Sequence, residues 1–443
     1  MKHFPNHDDR SVAVGKSFND VAHPRPGGPW VASWTASAQP VWGSDFLFPT
    51  NVPAMLHEQT VRQIARISLG GERLRIVLSN VHGQSPIHIG HATVARSAEL
   101  DPGAAHSAPD IRTITFGGES CASILPGASL VSDPVDMETE SLSRLTVSLY
   151  VPGPAPLTTF HWDGRQTTWI VPGNQTHARD LDVAPPSMCT TARPLLTGIH
   201  VERENGPRAR SVVVIGDSIT DGATASLDQD TRWPDFLAAR LAPHGVAVVN
   251  AGISGARLLS DGMGVNALAR LERDVLSQPG VEAVIVMLGI NDIAWPGTAF
   301  ARLAALPSLA SMTAGFRQLI AQLRGHGIRV LGATLLPFAG ALPDSPLADY
   351  FQPEKDALRR RVNDWMRSSD AFDGIVDFDA ALRDPDDSTR LIAAYDSGDH
   401  LHPGDSGLRA MGEAVDLGLL LPGRLSFPPP HPPLINPPAR PTP

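Results

Sequence analysis

The stretch SVVVIGDSITDG, residues 211–222, decides how the chain is read. A short apolar run, Ser211 to Gly216, stops at a glycine and is followed at once by polar residues: Asp217, Ser218, Thr220 and Asp221. Downstream the pattern repeats. A helix is predicted over Trp233–Leu241, then a second apolar run, VAVVN (246–250). Val265, Leu268, Leu271 and Val275 recur at helical spacing before a third run, VEAVIVMLG (281–289). A long helix is predicted over Leu309–Leu323, a fourth run is IRVLGATLLP (328–337), and a helix follows near Glu354–Met366. GIVDF (374–378) is the fifth run, and a last helix is expected over about 407–420. Strand and helix alternating in this way call for an α/β fold, a parallel sheet with helices on both faces.

Upstream the character differs. TVRQIARIS (60–68), RLRIVLSN (73–80), IHIGHATVARS (87–97), IRTITFGG (111–118) and the run near 144–153 are short, β-branched and separated by Gly, Pro, Asn and Ser. They predict an all-β sandwich. The expected organisation is a flexible arm over 1–27, a β-sandwich over 28–200, an α/β unit over 205–421 and a Pro-rich tail over 422–443. That tail holds ten of the 41 prolines, so it is not expected to pack into a core.

Composition narrows the function. With 36 Lys+Arg against 46 Asp+Glu the net charge is −10, which argues against nucleic-acid or anionic-membrane binding. No run approaches the roughly 18 apolar residues of a membrane helix. The first twenty residues lack a secretory apolar core. The expectation is a cytoplasmic protein; a secreted or periplasmic one would need a misassigned start or a removed leader. Cys121 and Cys189 are read as free, buried thiols rather than a pair.

In an open α/β sheet, ligands bind beyond the carboxyl ends of the strands. Residues just after each run are therefore the candidates. They are Gly216-Asp217-Ser218, Asn250 to Gly255, Gly289 to Asp292, and Asp399-His400-Leu401-His402-Pro403 before the last helix. This set suits acyl transfer. The Ser218 hydroxyl needs a base, which His402 can supply, and Asp399 can orient the imidazole. The Ser218 and Gly255 backbone N–H groups and the Asn291 amide are candidate oxyanion donors. Asp217 and Asp292 are read as supports that accept backbone amides, and Asn250 as a turn residue. His400 competes with His402 for the base, and the spacing to Asp399 with Pro403 following favours His402. Taken alone, Ser218 would read as a helix N-cap.

These four blocks resemble the SGNH (GDSL-type) hydrolases, over about residues 211–420. The resemblance implies a flavodoxin-like fold with strand order 2-1-3-4-5, Ser218 as nucleophile, Gly255 and Asn291 in the oxyanion hole, and Asp399 and His402 completing a triad. It implies no metal and no organic cofactor. Ile219 stands where some members carry Leu, a conservative apolar change. WVASWTASAQP (30–40) with TVRQIARISLGGERLRIVLSN resembles the extra domain of a subgroup related to arylesterases and xylan-associated acylhydrolases. The expected substrates are short-acyl or acetyl esters, on small molecules or carbohydrate. Two other readings remain: a carbohydrate-binding module with a vestigial hydrolase, and an acyltransferase on the same triad.

Other features read as ordinary structure. His88 and His91 fall in a β-run without a third partner to bind metal. Trp30, Trp34, Trp42, Trp162 and Trp169 read as core rather than a sugar-stacking surface. Acyl and leaving-group selectivity are assigned to loops 256–264, 293–308 and 338–352, and to the way the N-terminal half roofs the site.

Overall fold

The computed structural model describes residues 30–97, 106–203 and 208–421. The predicted arm over 1–27 and the Pro-rich tail over 422–443 lie outside the described residues.

Beside one three-stranded and two two-stranded sheets, the described residues between 30 and 202 are built on two large antiparallel sheets. In one, strand Trp30–Thr35 pairs with Leu196–Glu202, which pairs with Arg73–Ser79. In the other, Thr168–Pro172, Gln59–Arg66, Arg144–Val151 and His91–Arg96 lie side by side. Alternation explains Arg73–Ser79: Leu74, Ile76 and Leu78 face inward and are fully buried. Both sheets feed one apolar core, as a sandwich requires. The predicted run 87–97 is broken into Ile87–Ile89 and His91–Arg96. The break falls at Gly90, where a Cβ would lie 2.9 Å from the Pro152 ring. Only Arg112–Thr113 of the run 111–118 is strand. Both cysteines are free, but exposed rather than buried. Cys189 lies on a short strand, Met188–Thr190, where Ile170 and Trp169 pair with its neighbours and itself.

From Arg210 onward the fold is α/β. Five parallel strands lie in the order Val246–Gly252, Arg210–Gly216, Val281–Met287, Arg329–Ala333, Gly374–Val376. This is the 2-1-3-4-5 order implied by the resemblance. The first strand shows why helices cover both faces. Val213 and Ile215 pack into one core with Phe316, Leu319 and Val362. Val212 and Val214 pack into another with Trp233, Leu237 and Met411. The helix predicted over 407–420 runs from Asp405 to Ala414, followed by a 3₁₀ turn at Leu417–Leu419.

Strand Val246–Gly252 is an edge of the parallel sheet, and the sandwich covers it. The Thr35 hydroxyl donates to Asn250 O at 2.8 Å, and the Ser68 hydroxyl donates to Val248 O. Ala32 N–H donates to Pro279 O at 2.9 Å. Ala32 belongs to the core of the α/β layer, and Ala247 to the core of the sandwich. Polar caps on an open edge satisfy carbonyls that would otherwise template aggregation.

Candidate active site

The first parallel strand ends at Gly216, where no side chain fits: a Cβ would meet Thr220 Oγ1 at 2.1 Å and Met287 O at 2.9 Å. Asp217 follows and caps a one-turn helix, Ser218–Asp221, accepting Ile219 N–H at 3.1 Å. The cap is therefore Asp217, not Ser218. With the cap role taken by its neighbour, Ser218 stands as the first helical residue, its side chain free to meet His402. Gly222 closes the turn at φ 92°, a left-handed conformation that suits glycine.

The last loop brings the candidate base. His402 Nε2 lies 2.8 Å from Ser218 Oγ, and His402 Nδ1 lies 2.6 Å from Asp399 Oδ2. Asp399 Oδ1 also accepts the backbone N–H groups of Leu401 at 2.9 Å and His402 at 2.8 Å. Burial opposes ionisation of this carboxyl. Its bond to the His402 ring, the charge of that ring and the two amides outweigh burial and hold it well below the usual carboxylate range. An ionised Asp399 fixes the proton of a neutral imidazole on Nδ1, leaving Nε2 as acceptor for the Ser218 proton. His400 is engaged elsewhere, with Nδ1 at 2.5 Å from Asp396 Oδ2.

The second and third strands supply the remaining blocks. Gly255 has φ 73°, and a Cβ there would lie 2.8 Å from Met263 Sδ and 3.0 Å from Trp295 Cζ2. Asn250 braces its turn: its Nδ2 donates to Thr220 O at 2.7 Å and its Oδ1 accepts Gly252 N–H at 2.8 Å. Asn291 Nδ2 donates to Ala256 O at 3.0 Å, and its Oδ1 accepts the Tyr350 hydroxyl. One N–H of the amide is thus uncommitted in these two bonds. Asp292 accepts Leu258 N–H and Leu259 N–H, both at 2.8 Å, which ties the loop after Gly255 to the third strand. Burial raises the Asp292 carboxyl to about 6 and that of Asp217 to about 7.

Ser218, Gly255, Asn291, Asp399 and His402 all line one cavity of about 240 Å³. The three loops expected to set selectivity reach it through Met263, Trp295 with Phe300, and Leu342 with Tyr350. Phe48 and Trp162 of the sandwich also line it. Trp34 is core, 5% exposed, whereas Trp162 is half-buried at the cavity. A second cavity, about 270 Å³, lies on the seam between Thr35, His200 and Arg273, away from the serine. His88 faces Ser123 across a strand pair and His91 bonds Thr176 Oγ1 at 2.9 Å.

Sequence reading missed Tyr350, Trp295, Phe48 and the buried pair His161–Asp221. His161 Nε2 lies 2.9 Å from Asp221 Oδ1, and Asp221 Oδ2 accepts both the N–H and the hydroxyl of Ser254. A lone Tyr on a short 3₁₀ turn or a lone His at the end of a three-residue strand carries no spacing signal. The aspartate of SITDG was visible, but its partner lies 60 residues away.

The turn carrying Ser218 lies at the carboxyl edge of a sheet with strand order 2-1-3-4-5, the fold of the SGNH-type hydrolases. Residues 214–410 match the model of the GDSL-like Lipase/Acylhydrolase family. Over these residues the chain carries a GDSL-like lipase/acylhydrolase domain, which supports carboxylic ester hydrolysis. Comparison with curated proteins found no match. Among solved structures, a protein described as lipolytic and of the G-D-S-L family, from Desulfitobacterium hafniense, is 21% identical, with TM-score 0.35, covering 46% of this chain and 96% of its own. A GDSL-like lipase from Bacteroides thetaiotaomicron is 18% identical, with TM-score 0.35, covering 48% and 88%. An acetylxylan esterase from Geobacillus stearothermophilus is 23% identical, with TM-score 0.31, covering 46% and 91%.

Proposed function

We propose that the chain hydrolyses esters of short carboxylic acids, on small molecules or carbohydrate, through a Ser218–His402–Asp399 triad and an acyl-enzyme. The observation that carries this reading is the continuous chain from Ser218 Oγ to His402 Nε2 at 2.8 Å and from His402 Nδ1 to Asp399 at 2.6 Å. Ser218 Oγ attacks the ester carbonyl carbon as His402 takes its proton. The carbonyl oxygen becomes an oxyanion that the Ser218 and Gly255 N–H groups and the Asn291 amide receive. The ester C–O bond then breaks, and His402 gives its proton to the departing alkoxide. Water repeats the sequence: His402 takes its proton, hydroxide adds to the acyl carbon, and Ser218 leaves with the proton returned. Asp399 stays ionised throughout and stabilises the imidazolium.

Ser218→Ala should keep the fold and lose at least about 10³-fold in kcat on p-nitrophenyl acetate. His402→Ala should behave alike, and a fluorophosphonate probe should label Ser218 in the wild type. Hydrolysis retained by Ser218→Ala would overturn the reading, and so would the absence of an adduct on Ser218.

A further inference from the structure

One wall of the cavity over Ser218 is a run of aromatic rings. Trp295 and Phe300 stack with centroids 4.3 Å apart and planes at 24°. Phe300 meets Phe48 at 5.6 Å, and Phe48 stacks on Trp162 at 5.5 Å and 24°. Half of the wall comes from the α/β layer and half from the sandwich. Phe46 and Trp42 back it, Phe46 at 5.7 Å from Phe300 and Trp42 at 5.7 Å from Trp162.

The sandwich half is held in place by its own polar edges. Trp42 Nε1 donates to Phe48 O at 2.7 Å, and Trp162 Nε1 donates to Pro49 O at 3.0 Å. Trp162 N–H donates to Gln39 Oε1 at 2.8 Å, while Gln39 Nε2 donates to Met263 O at 2.9 Å in the α/β layer. With those N–H groups spent inside the protein, the rings offer apolar faces to the cavity. Asp163, beside Trp162, faces Arg165: Oδ1 accepts the Arg165 N–H at 3.3 Å, and the guanidinium lies 3.7 Å from Oδ2. A preformed apolar surface next to reacting groups is what a specificity pocket requires.

Its position relative to the reacting atoms indicates which part of the ester it meets. Trp295 packs on Gly255, on the oxyanion side. The leaving oxygen must lie within reach of His402, whose surroundings are Asp399, Leu401 and the Thr224 hydroxyl bonded to Pro403 O at 2.7 Å. A tetrahedral carbon on Ser218 Oγ has two further directions taken, the oxyanion and the leaving oxygen. The remaining substituent, the acyl chain, is left to the wall that begins at Trp295.

Resting on the serine mechanism above, we infer that this wall is the acyl subsite. It takes an apolar acyl group larger than acetyl, such as butyryl, hexanoyl or benzoyl, and Phe48 and Trp162 make the sandwich a direct determinant of acyl selectivity. Transfer of each methylene from water to such a wall corresponds to about fourfold in kcat/KM.

The test is a p-nitrophenyl ester series with the alcohol constant and the acyl group varied: acetate, butyrate, hexanoate and benzoate. The wild type should rise from acetate to butyrate by about tenfold or more. Phe48→Ala and Trp162→Ala should each lower the butyrate-to-acetate ratio several-fold, and Trp162→Phe should restore most of it. Should Trp162→Ala fail to fold, as judged by its thermal transition, Phe48→Ala still decides. A flat wild-type series in enzyme whose Ser218 takes the fluorophosphonate overturns the subsite and leaves the serine mechanism standing. Loss of labelling overturns the mechanism itself. A second series, with butyryl constant and the alcohol varied, completes the test: if the Phe48 and Trp162 variants change alcohol preference instead of acyl preference, the wall is a leaving-group site and the inference fails.

Discussion

Asp217 sits against the serine as a carboxyl kept dry. It is fully buried, Oδ1 accepts Ile219 N–H, and Oδ2 has no hydrogen-bond partner among the described residues. Burial raises it to about 7, against the pull of that amide and of the His402 charge. Below the ordinary carboxylate range the group is protonated whether the chain is folded or not. As pH rises from about 4 towards 7 the unfolded chain ionises first, so the folded state loses stability across that window. Asp217→Asn keeps the cap acceptor and cannot ionise. Its stability by urea titration should therefore gain on the wild type steadily between about pH 4 and pH 7. Parallel curves for the two proteins would refute this account. The roles proposed for Ser218 and His402 were legible at this scale in the sequence, because DxxHP and GDS spacing reports local chemistry. The dryness of Asp217 was not, because burial depends on which elements close over it.

At the scale of elements, the proposed oxyanion side is held by pieces far apart in the chain. The turn carrying Tyr350 is fastened by Lys355, whose Nζ donates to Asp349 O at 2.9 Å and to Ala294 O at 2.7 Å. The Tyr350 hydroxyl in turn bonds Asn291 Oδ1. An amide whose oxygen is claimed in this way must keep its N–H₂ end towards Ala256 O and the cavity. Tyr350→Phe removes the claim and leaves the ring. It should lower kcat about tenfold with little change in KM, because orientation matters to the transition state more than to the bound ester. In Asn291→Ala the same change should cost little further, so the double-mutant cycle should be strongly non-additive. Additive effects would show that Tyr350 acts elsewhere. The helix carrying Lys355 is the one the sequence places near Glu354–Met366. Its cation was not assigned, since a Lys on a helix ordinarily faces water.

For the whole molecule, the seam between sandwich and α/β layer matters more than the two-part sequence pattern suggests. His161, from the sandwich, and Asp221, from the serine-bearing turn, are 4% and 3% exposed in side chain. His161 also bonds Ser37 O at 3.0 Å. Burial favours the neutral imidazole, but the charge and hydrogen bond of Asp221 outweigh it and hold the His161 pKa above its ordinary value despite Arg193 nearby. Such a histidine contributes stability that is fully present below about pH 6.5 and is lost as pH rises through its folded value. We propose that the two regions, divided near residues 203–208, unfold as one unit. Calorimetry should show a single transition, and two resolved transitions would refute it. His161→Gln should lower that one transition, with a cost of about 3–5 kcal/mol that shrinks on the alkaline side.

The sequence by itself determined the order of elements and the place of the site. Apolar runs that end at Gly216 and near Asn250, Gly289 and Phe378 mark parallel strands, and in such a sheet the residues after each strand share one edge whatever surrounds them. It also singled out the residues proposed for acyl chemistry, because the proposed nucleophile, base and orienting acid stand in local motifs. The tertiary structure alone decided what meets those residues. Phe48 against Phe300, Tyr350 against Asn291 and His161 against Asp221 are contacts between elements, and no period or spacing within an element says which partner its exposed face will find. That choice is made by packing two layers to native density, which the covered edge of strand Val246–Gly252 brings about here.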